Sequence, residues 1–472
     1  MNLSIYDILT ATAGKLLTGS RAQSVYGIAT DSRETNRNCL FVPLRGAKFD
    51  GHDYILQAFK NGAAAALIQK DTPCDISALP TAPTLIEVNC TLRALGDLAN
   101  FWRRRFATTV IAITGSNGKT STKELAFNII SKKIKVLKSP GNWNNLIGVP
   151  LSLFSLDGSQ EAAIIEMGMS EKGEIKRLAE IAQPDIGVIT NVGPSHLENF
   201  SGLDDIRDAK GELFDCLGPE QTAIANVGDE RVRYLAEKTR AQKVYFGIAA
   251  GDLQAGNIDE THTDGISYDL DIKGRTVRIT TDRPGRTFVL NDLAAAAIAH
   301  TLGIDPDTIR KGLEKSPPVQ GRMEKINIHG ITLINDTYNA NPVSMAAALT
   351  LLGKMNTAAN RIAVLADMLE LGKDSPRFHE ELGEKAAAAN LDGLFLYGPG
   401  QLSVMTGAVK AGMAPDRIQV FEDIQALCRR LDAQLQPGTA ILLKGSRGMR
   451  LERVITHIKK TRKQATEEPH AV

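Results

Sequence analysis

A lysine and a threonine behind two glycines make a phosphate site, and Gly115-Ser116-Asn117-Gly118-Lys119-Thr120-Ser121 supplies that arrangement. The run follows the apolar segment Thr109-Val110-Ile111-Ala112-Ile113 and leads into Thr122-Lys123-Glu124-Leu125, which favours a helix. Strand, glycine loop and helix is the context in which such a loop binds phosphate. Glycines let backbone N–H groups approach phosphate oxygens, and the helix N-terminus adds partial positive charge. Lys119 can reach the outer phosphates, and the Thr120 hydroxyl can ligate Mg²⁺. The loop is a shortened G-x-x-G-K-T, because Ile113 stands where the longer form has its first glycine. A glycine-rich turn that binds nothing is the plain alternative. Lys119-Thr120 and the strand before the loop favour a nucleotide.

Other apolar runs also end in polar residues. Glu166 closes Ala163-Ile164-Ile165. Ligands of open α/β sheets sit at the carboxyl ends of strands, so Glu166 is a candidate Mg²⁺ ligand rather than a surface acid. Thr190-Asn191-Val192-Gly193-Pro194-Ser195-His196-Leu197-Glu198 places His196 and Glu198 at the same sheet edge. Spacing alone leaves His196 equally a structural residue or a ligand of a second ion. Spacing promotes Lys210, in Asp208-Ala209-Lys210-Gly211-Glu212, no further than an exposed helical lysine. Asn335-Asp336-Thr337-Tyr338-Asn339-Ala340-Asn341-Pro342 reads as a helix cap or as a polar rim facing the nucleotide. Lys444-Gly445-Ser446-Arg447-Gly448-Met449-Arg450 faces an anion or is a solvated turn.

These residues need a frame. At 472 residues the chain divides into about two to four domains. Residues 1–90 hold short strands and a helix near Tyr54–Phe59, and a helix over Thr91–Arg105 bridges to the next block. Residues 91–322 alternate apolar strands with helices, which predicts a mostly parallel P-loop-type sheet. The polar stretch near 251–283 alternates apolar and polar residues and reads as antiparallel strands in a small appended sheet. Residues 323–472 show four apolar runs, at Ile331–Ile334, Ile362–Leu365, Leu394–Tyr397 and Ala440–Leu443, and suggest a second doubly wound, Rossmann-like domain. The fold class is therefore α/β with three domains, and the tail from Lys459 reads as a frayed terminus. A net charge of +1 argues against nucleic acid or an anionic membrane as partner. No apolar run approaches the ~18 residues of a membrane span. Five scattered cysteines, including Cys74, fit a reducing cytoplasm, and no secretion signal is visible.

Taken in order, the motifs resemble the Mur ligase family, the ATP-dependent amide ligases of peptidoglycan precursor synthesis. The likeness covers nearly the whole chain. It rests on Gly115–Thr120, Gly141-Asn142-Trp143-Asn144-Asn145, Ile147-Gly148-Val149-Pro150, Glu166, Thr190–Gly193, His196-Leu197-Glu198, and Lys210 with Glu212. Asp336–Pro342, Asp367-Met368-Leu369-Glu370-Leu371-Gly372 and Lys444–Arg447 resemble the branch that adds D-alanyl-D-alanine. The Asp-Asn-Pro-Arg signature of the branch that adds a diamino acid is absent. Asp31-Ser32-Arg33 and Phe49-Asp50-Gly51-His52-Asp53 resemble that branch's UDP-sugar domain.

The resemblance implies the roles. Lys119, Lys210, His196 and Glu166 are the catalytic set. Gly115 to Ser121, Asn291, Arg322 and Asp336 bind ATP. Asp31, Ser32, Arg33, Phe49, Asn142, Asn145, Tyr338, Asn339 and Asn341 meet the other substrates. Thr120, Glu166, His196 and Lys210, the last as a carbamate, hold Mg²⁺ at two sites. Thr287 and Phe288 replace the family's His and Asn, so adenine contact is expected from Asn291 and apolar packing. Phe200-Ser201-Gly202 inverts a usual Phe-Gly-Ser, and Ala366 replaces a common Gly.

The implied reaction phosphorylates the C-terminal carboxylate of UDP-MurNAc-tripeptide. The amine of D-Ala-D-Ala then displaces phosphate, in the cytoplasm and by a monomer. A folylpolyglutamate-type ligase is disfavoured by the Asp31-Ser32-Arg33 block. A catalytically dead binding protein is disfavoured by retention of Lys119, Glu166, His196 and Lys210. A nucleic-acid motor is disfavoured by the neutral charge.

Overall fold

The computed structural model describes residues 1–46, 48–73, 83–260, 265–283, 285–355 and 358–467. Cys74 lies outside the described residues. Alternating strands and helices wind into three main sheets.

The first sheet has five short strands in the order Lys15–Thr18, Thr84–Val88, Ala65–Gln69, Leu40–Phe41, Ile28–Ala29. A separate pair, Leu3–Ser4 with Ser24–Val25, lies beside it. The bridging helix spans Thr91–Arg103, shorter by two residues than its apolar pattern suggests. Its buried Leu95, Leu98 and Trp102 belong to one apolar cluster that runs from Leu3 and Ile5 into the central sheet. Arg103 is buried in the same joint and donates to the carbonyl of Ala182 at 2.9 Å.

The central sheet has nine strands. Seven are parallel, from Val136–Lys138 through Ala162–Glu166, Thr109–Thr114, Ile186–Ile189, Thr222–Asn226 and Gln242–Ile248 to Leu253–Asp259. Both faces are covered: Val110 and Ala112 point into one apolar cluster, Ile111 and Ile113 into the other. That burial explains the unbroken apolar reading of these strands. Ile266–Ile272 and Arg275–Thr281 add antiparallel strands, as the alternation predicts. They are not a separate small sheet. Leu253–Asp259 pairs with Gln242–Ile248 and carries the main sheet onward.

The third sheet has six strands, with Thr439–Lys444 at its centre between Ile331–Asp336 and Asn360–Ala366. Two strands escaped the apolar pattern. Glu324–Ile328 is an antiparallel edge that alternates polar and apolar residues, and Ile418–Phe421 is a four-residue edge. The C-terminal segment departs from the frayed reading, because a helix spans Glu452–Glu467. Val454, Ile455 and Ile458 pack with Leu427 and Leu431, and Arg462 donates to the carbonyl of Leu435 at 2.6 Å. Burial of one helical face outweighs the polar composition of the other.

Candidate active site

The strand Thr109–Thr114 lies between two parallel neighbours, Ala162–Glu166 and Ile186–Ile189, so three strand ends converge. The glycine loop leaves the middle one. Two of its positions demand glycine. Gly115 has φ 146°, and a Cβ there would lie 1.9 Å from Thr190 Oγ1. Gly118 has φ 83°, and a Cβ would lie 2.2 Å from Asn291 Oδ1. Both the left-handed backbone and the space exclude a side chain.

The neighbouring loop holds the phosphate loop in shape. The Asn117 amide donates to Asn191 Oδ1 at 2.9 Å, and Thr190 Oγ1 donates to the Asn117 carbonyl at 2.6 Å. Ser116 Oγ donates to the Gly193 carbonyl at 2.8 Å. Lys119 Nζ donates back to the Gly115 carbonyl at 2.7 Å. Burial pushes the Lys119 ammonium below its ordinary pKa; Glu166 opposes this and Arg322 reinforces it.

Glu166 ends its strand fully inside the protein. Its Oε1 accepts from Asn144 Nδ2 at 2.9 Å, while its buried Oε2 has no hydrogen-bond partner. Lys123 Nζ stands 3.6 Å from that oxygen and donates to the carbonyls of Ser139 and Gly141, tying the 139–145 loop to the phosphate-loop helix Lys119–Ile130. A buried carboxylate oxygen left open is the donor a hard cation takes. Among the described residues no group of three or more His, Cys, Asp or Glu forms a ready-made cage. Glu166 and the Thr120 hydroxyl are oxygen donors that suit Mg²⁺, which keeps waters and phosphate oxygens among its ligands.

His196 has a left-handed backbone, φ 57°, and so does Glu370 of the third sheet's loop, φ 64°. Their Nδ1 and Oε2 atoms are 2.5 Å apart but not aligned as a hydrogen bond. This contact holds the Glu370 carboxyl below its ordinary pKa against the opposing effect of burial. A carboxylate on Nδ1 leaves Nε2 as the nitrogen open to a metal. The Glu198 amide donates to the Glu370 carbonyl at 3.1 Å and fastens the same two loops.

Lys210 lies within the helix Leu203–Asp215 and is buried, not exposed as its spacing suggested. Burial drives its amine well below its ordinary pKa, and the Lys119 charge adds to the effect. Among the described residues no carboxylate pairs with it. Glu212, two residues on, accepts from the amides of Gly173 and Lys176 and so fixes a neighbouring helix start.

The opposite wall comes from residues 322–341. Arg322 Nη2 donates to Thr120 Oγ1 at 3.2 Å, and its guanidinium carbon sits 3.9 Å from the Tyr338 ring centre. Asp336 accepts from the Met323 amide at 3.1 Å and from Lys444 Nζ at 2.5 Å. Lys444 also donates to the Asn339 carbonyl at 2.9 Å. Asn341 does two jobs. Its Oδ1 accepts from the Ser344 amide and caps the helix Pro342–Gly353, and its Nδ2 donates to Asn117 Oδ1 at 2.7 Å. The cap and the rim proposed for this segment meet in one side chain.

A cleft of about 930 Å³ lies between these walls. Ser116, Asn117, Gly118, Lys119, Thr120 and Ser121 line it with Glu166 and His196. Asn142, Asn145 and Asn291 join from the central sheet, and Arg322, Asp336, Tyr338, Asn339 and Asn341 face them. Gly115 and Lys210 sit behind this lining. Asp31, Ser32, Arg33 and Phe49 are not brought to the cleft and lie with the first sheet. There Arg33 Nη2 meets Asp31 Oδ2 at 2.6 Å and holds its carboxyl at about 2, while Phe49 is exposed. Sequence reasoning gave no individual role to Asn144, Lys123 or Glu370, and placed Lys444 only in a run that faces an anion or is a solvated turn. Asn144, Lys444 and Glu370 stand inside quoted motifs, but no spacing signals which side chain each one holds.

Three family models match in chain order: Mur ligase family, catalytic domain, over residues 24–103; Mur ligase middle domain over 113–299; and Mur ligase, glutamate ligase domain, over 321–447. The chain belongs to the Mur ligase family. A relative from Bacillus subtilis, a UDP-N-acetylmuramoyl-tripeptide--D-alanyl-D-alanine ligase, is 35% identical over 96% of this chain and 97% of its own. The crystal structure of MurF from Acinetobacter baumannii superposes with a TM-score of 0.88 at 30% identity, covering 98% of this chain and 99% of that one. MurF from Thermotoga maritima, solved in complex with ADP, superposes at 0.82 with 28% identity over 93% and 99%.

Proposed function

We infer that the protein joins D-alanyl-D-alanine to the C-terminal carboxylate of UDP-MurNAc-tripeptide, using ATP and releasing ADP and phosphate. One observation carries the reading: the phosphate loop is completed from across the cleft, by Arg322 on Thr120 and Asn341 on Asn117. ATP is an expensive reagent for a binding protein and a necessary one for this bond, because a carboxylate is a poor electrophile. Transfer of the γ-phosphoryl group makes an acyl phosphate. The dipeptide amine attacks its carbonyl, the tetrahedral intermediate collapses, and phosphate leaves.

The chain's own residues position and neutralise. The loop amides and Lys119 receive the β- and γ-phosphates. Arg322 and Lys119 lie where charge builds on the transferred group. Asp336, fixed by Lys444, and Asn291 orient the nucleoside. Asn142, Asn145, Tyr338 and Asn339 form the wall that excludes water from the acyl phosphate. Asp31, Ser32, Arg33 and Phe49 grip the UDP-sugar end, outside the cleft. Thr120, Glu166 and His196 would hold Mg²⁺ at two sites, where it would draw charge from the phosphates.

Lys210 joins that set as a carbamate. Its uncharged amine adds to the carbon of CO₂, one C–O π pair moves to oxygen, and the nitrogen proton leaves to solvent. Burial and the absence of a carboxylate partner support this. Incubation with ¹³C-bicarbonate should give a protein-bound ¹³C NMR resonance that Lys210→Arg lacks; its presence in both would remove the assignment. The units 1–90, 91–322 and 323–472 are proposed as the three domains, and a cytoplasmic monomer as the working form. Phosphate release with ATP, Mg²⁺, UDP-MurNAc-tripeptide and D-Ala-D-Ala, each omitted in turn, tests the whole. Release that requires both peptides, with pentapeptide by mass, is expected. No release with the UDP-tripeptide still bound would overturn it.

A further inference from the structure

The dipeptide that enters this cleft is a zwitterion. Its amine goes to the acyl carbonyl, and its carboxylate stands within about 7 Å of that amine, since two residues span no more. The cleft already holds the carboxylates of Glu166, Asp336 and Glu370. A further anion beside them needs a cation.

Five lysine and arginine side chains line the cleft among the described residues. Lys119 is folded onto Gly115 within the phosphate loop, and Arg322 is shared between Thr120 and Tyr338. Lys444 is consumed by Asp336 and Asn339. Arg231 has a buried Nε, 3.5 Å from Asp204. Arg447 remains. Its side chain is 64% exposed, and its one ion pair among the described residues is with half-buried Glu452 at 3.4 Å. A pair at that distance from an exposed guanidinium holds its partner weakly.

The base of Arg447 is nevertheless rigid. Ser446 donates its amide to the Asp367 carbonyl at 3.0 Å and accepts from the Leu369 amide at 2.9 Å. Two residues before Ser446 lies the buried Lys444 anchor. Arg447 is also close enough for its charge to act on the Tyr338 hydroxyl, as those of Arg322 and Glu166 do. A fixed base, a weakly held planar head and a place in the cleft lining suit a carboxylate, which guanidinium binds by two parallel hydrogen bonds.

We propose that Arg447 clamps the free C-terminal carboxylate of the D-alanyl-D-alanine substrate; this rests on the ligase reading above. The clamp makes the enzyme select a peptide with a free carboxylate, and it acts on binding rather than on bond making.

The test compares D-Ala-D-Ala with D-Ala-D-alaninamide, whose terminal charge is removed, on the full-length protein. The wild type should show a KM for the amide on the order of 10-fold above that for the acid. Arg447→Ala and Arg447→Gln should raise the KM for the acid by that factor. They should leave the amide's KM, the KM for ATP and UDP-MurNAc-tripeptide, and kcat within about twofold, so that the preference disappears; Arg447→Lys should retain part of it. Arg231→Ala should keep the preference. A preference that survives in both Arg447→Ala and Arg447→Gln, vanishes in Arg231→Ala, or is absent from the wild type overturns the clamp. A wild type that ligates neither peptide overturns the ligase reading itself.

Discussion

Around the phosphate loop, neighbouring elements hold the polar side chains in place; Asp31 and Arg33 hold only each other, at the surface. The loop amide of Asn117, the hydroxyls of Ser116 and Thr190 and the ammonium of Lys119 are all engaged. The buried exceptions nearby include Thr114 Oγ1, Thr122 Oγ1, Arg322 Nε and, alone among the carboxylates of the cleft, Glu166 Oε2. At the first sheet, Asp31 and Arg33 pair with each other on the surface, and Phe49 offers its ring to water. The first region is preorganised and brittle. The second is adaptable, and its loss costs binding rather than shape. Reactions that stabilise developing charge need fixed dipoles, whereas gripping a large soluble substrate does not.

Variants can break this contrast, the largest effects first. Lys119→Met should lower ligation by about 10²–10³-fold or more, with UDP-MurNAc-tripeptide binding intact by calorimetry. Gly118→Ala should match it, because its methyl group meets Asn291 Oδ1 and the backbone is left-handed. Ordinary ligation by Gly118→Ala would show that the cradle is less rigid than described.

Next comes the buried pair behind the opposite wall. Lys444→Met strands Asp336 and should cost about 3–5 kcal/mol in urea denaturation. The double variant Lys444→Met/Asp336→Asn should recover most of that, and failure to recover would deny the coupling. Asn144→Ala removes the donor that aims Glu166 and should weaken Mg²⁺ binding to the ADP complex by about 10-fold, read by calorimetry without turnover.

The smallest effects belong to the surface. Asp31→Asn should leave the melting temperature unchanged and raise the KM for UDP-MurNAc-tripeptide severalfold. Arg33 depresses the Asp31 carboxyl to about 2. A depressed carboxyl contributes above its ordinary pKa near 3.8 and loses that contribution as pH falls toward about 2. Precursor binding through Asp31 should therefore be flat from pH 8 to 5, and a steep loss between pH 7 and 6 would count against its role.

Much of the fold was legible because parallel strands buried on both faces read as plain apolar runs. The edge strands Glu324–Ile328 and Ile418–Phe421 were not, since one alternates and the other is short. The terminal helix was masked by the lysines and threonines of its outer face. In the cleft, Gly118, Lys119 and Glu166 announced themselves by spacing. Lys210 did not, because its burial depends on neighbours far away in the chain. Asn144 and Lys444 act through other side chains, and a sequence records no such distances. The family resemblance supplied what spacing withheld.

Asn341 makes the first turn of a helix and the phosphate loop share one amide group. Whatever frays that turn also releases the Asn117 side chain, and the relation holds in reverse. The Ser344 amide, bonded to that side chain, is thus a built-in gauge of nucleotide occupancy. Its hydrogen exchange should slow when ADP fills the loop, although Ser344 belongs to the far side of the cleft.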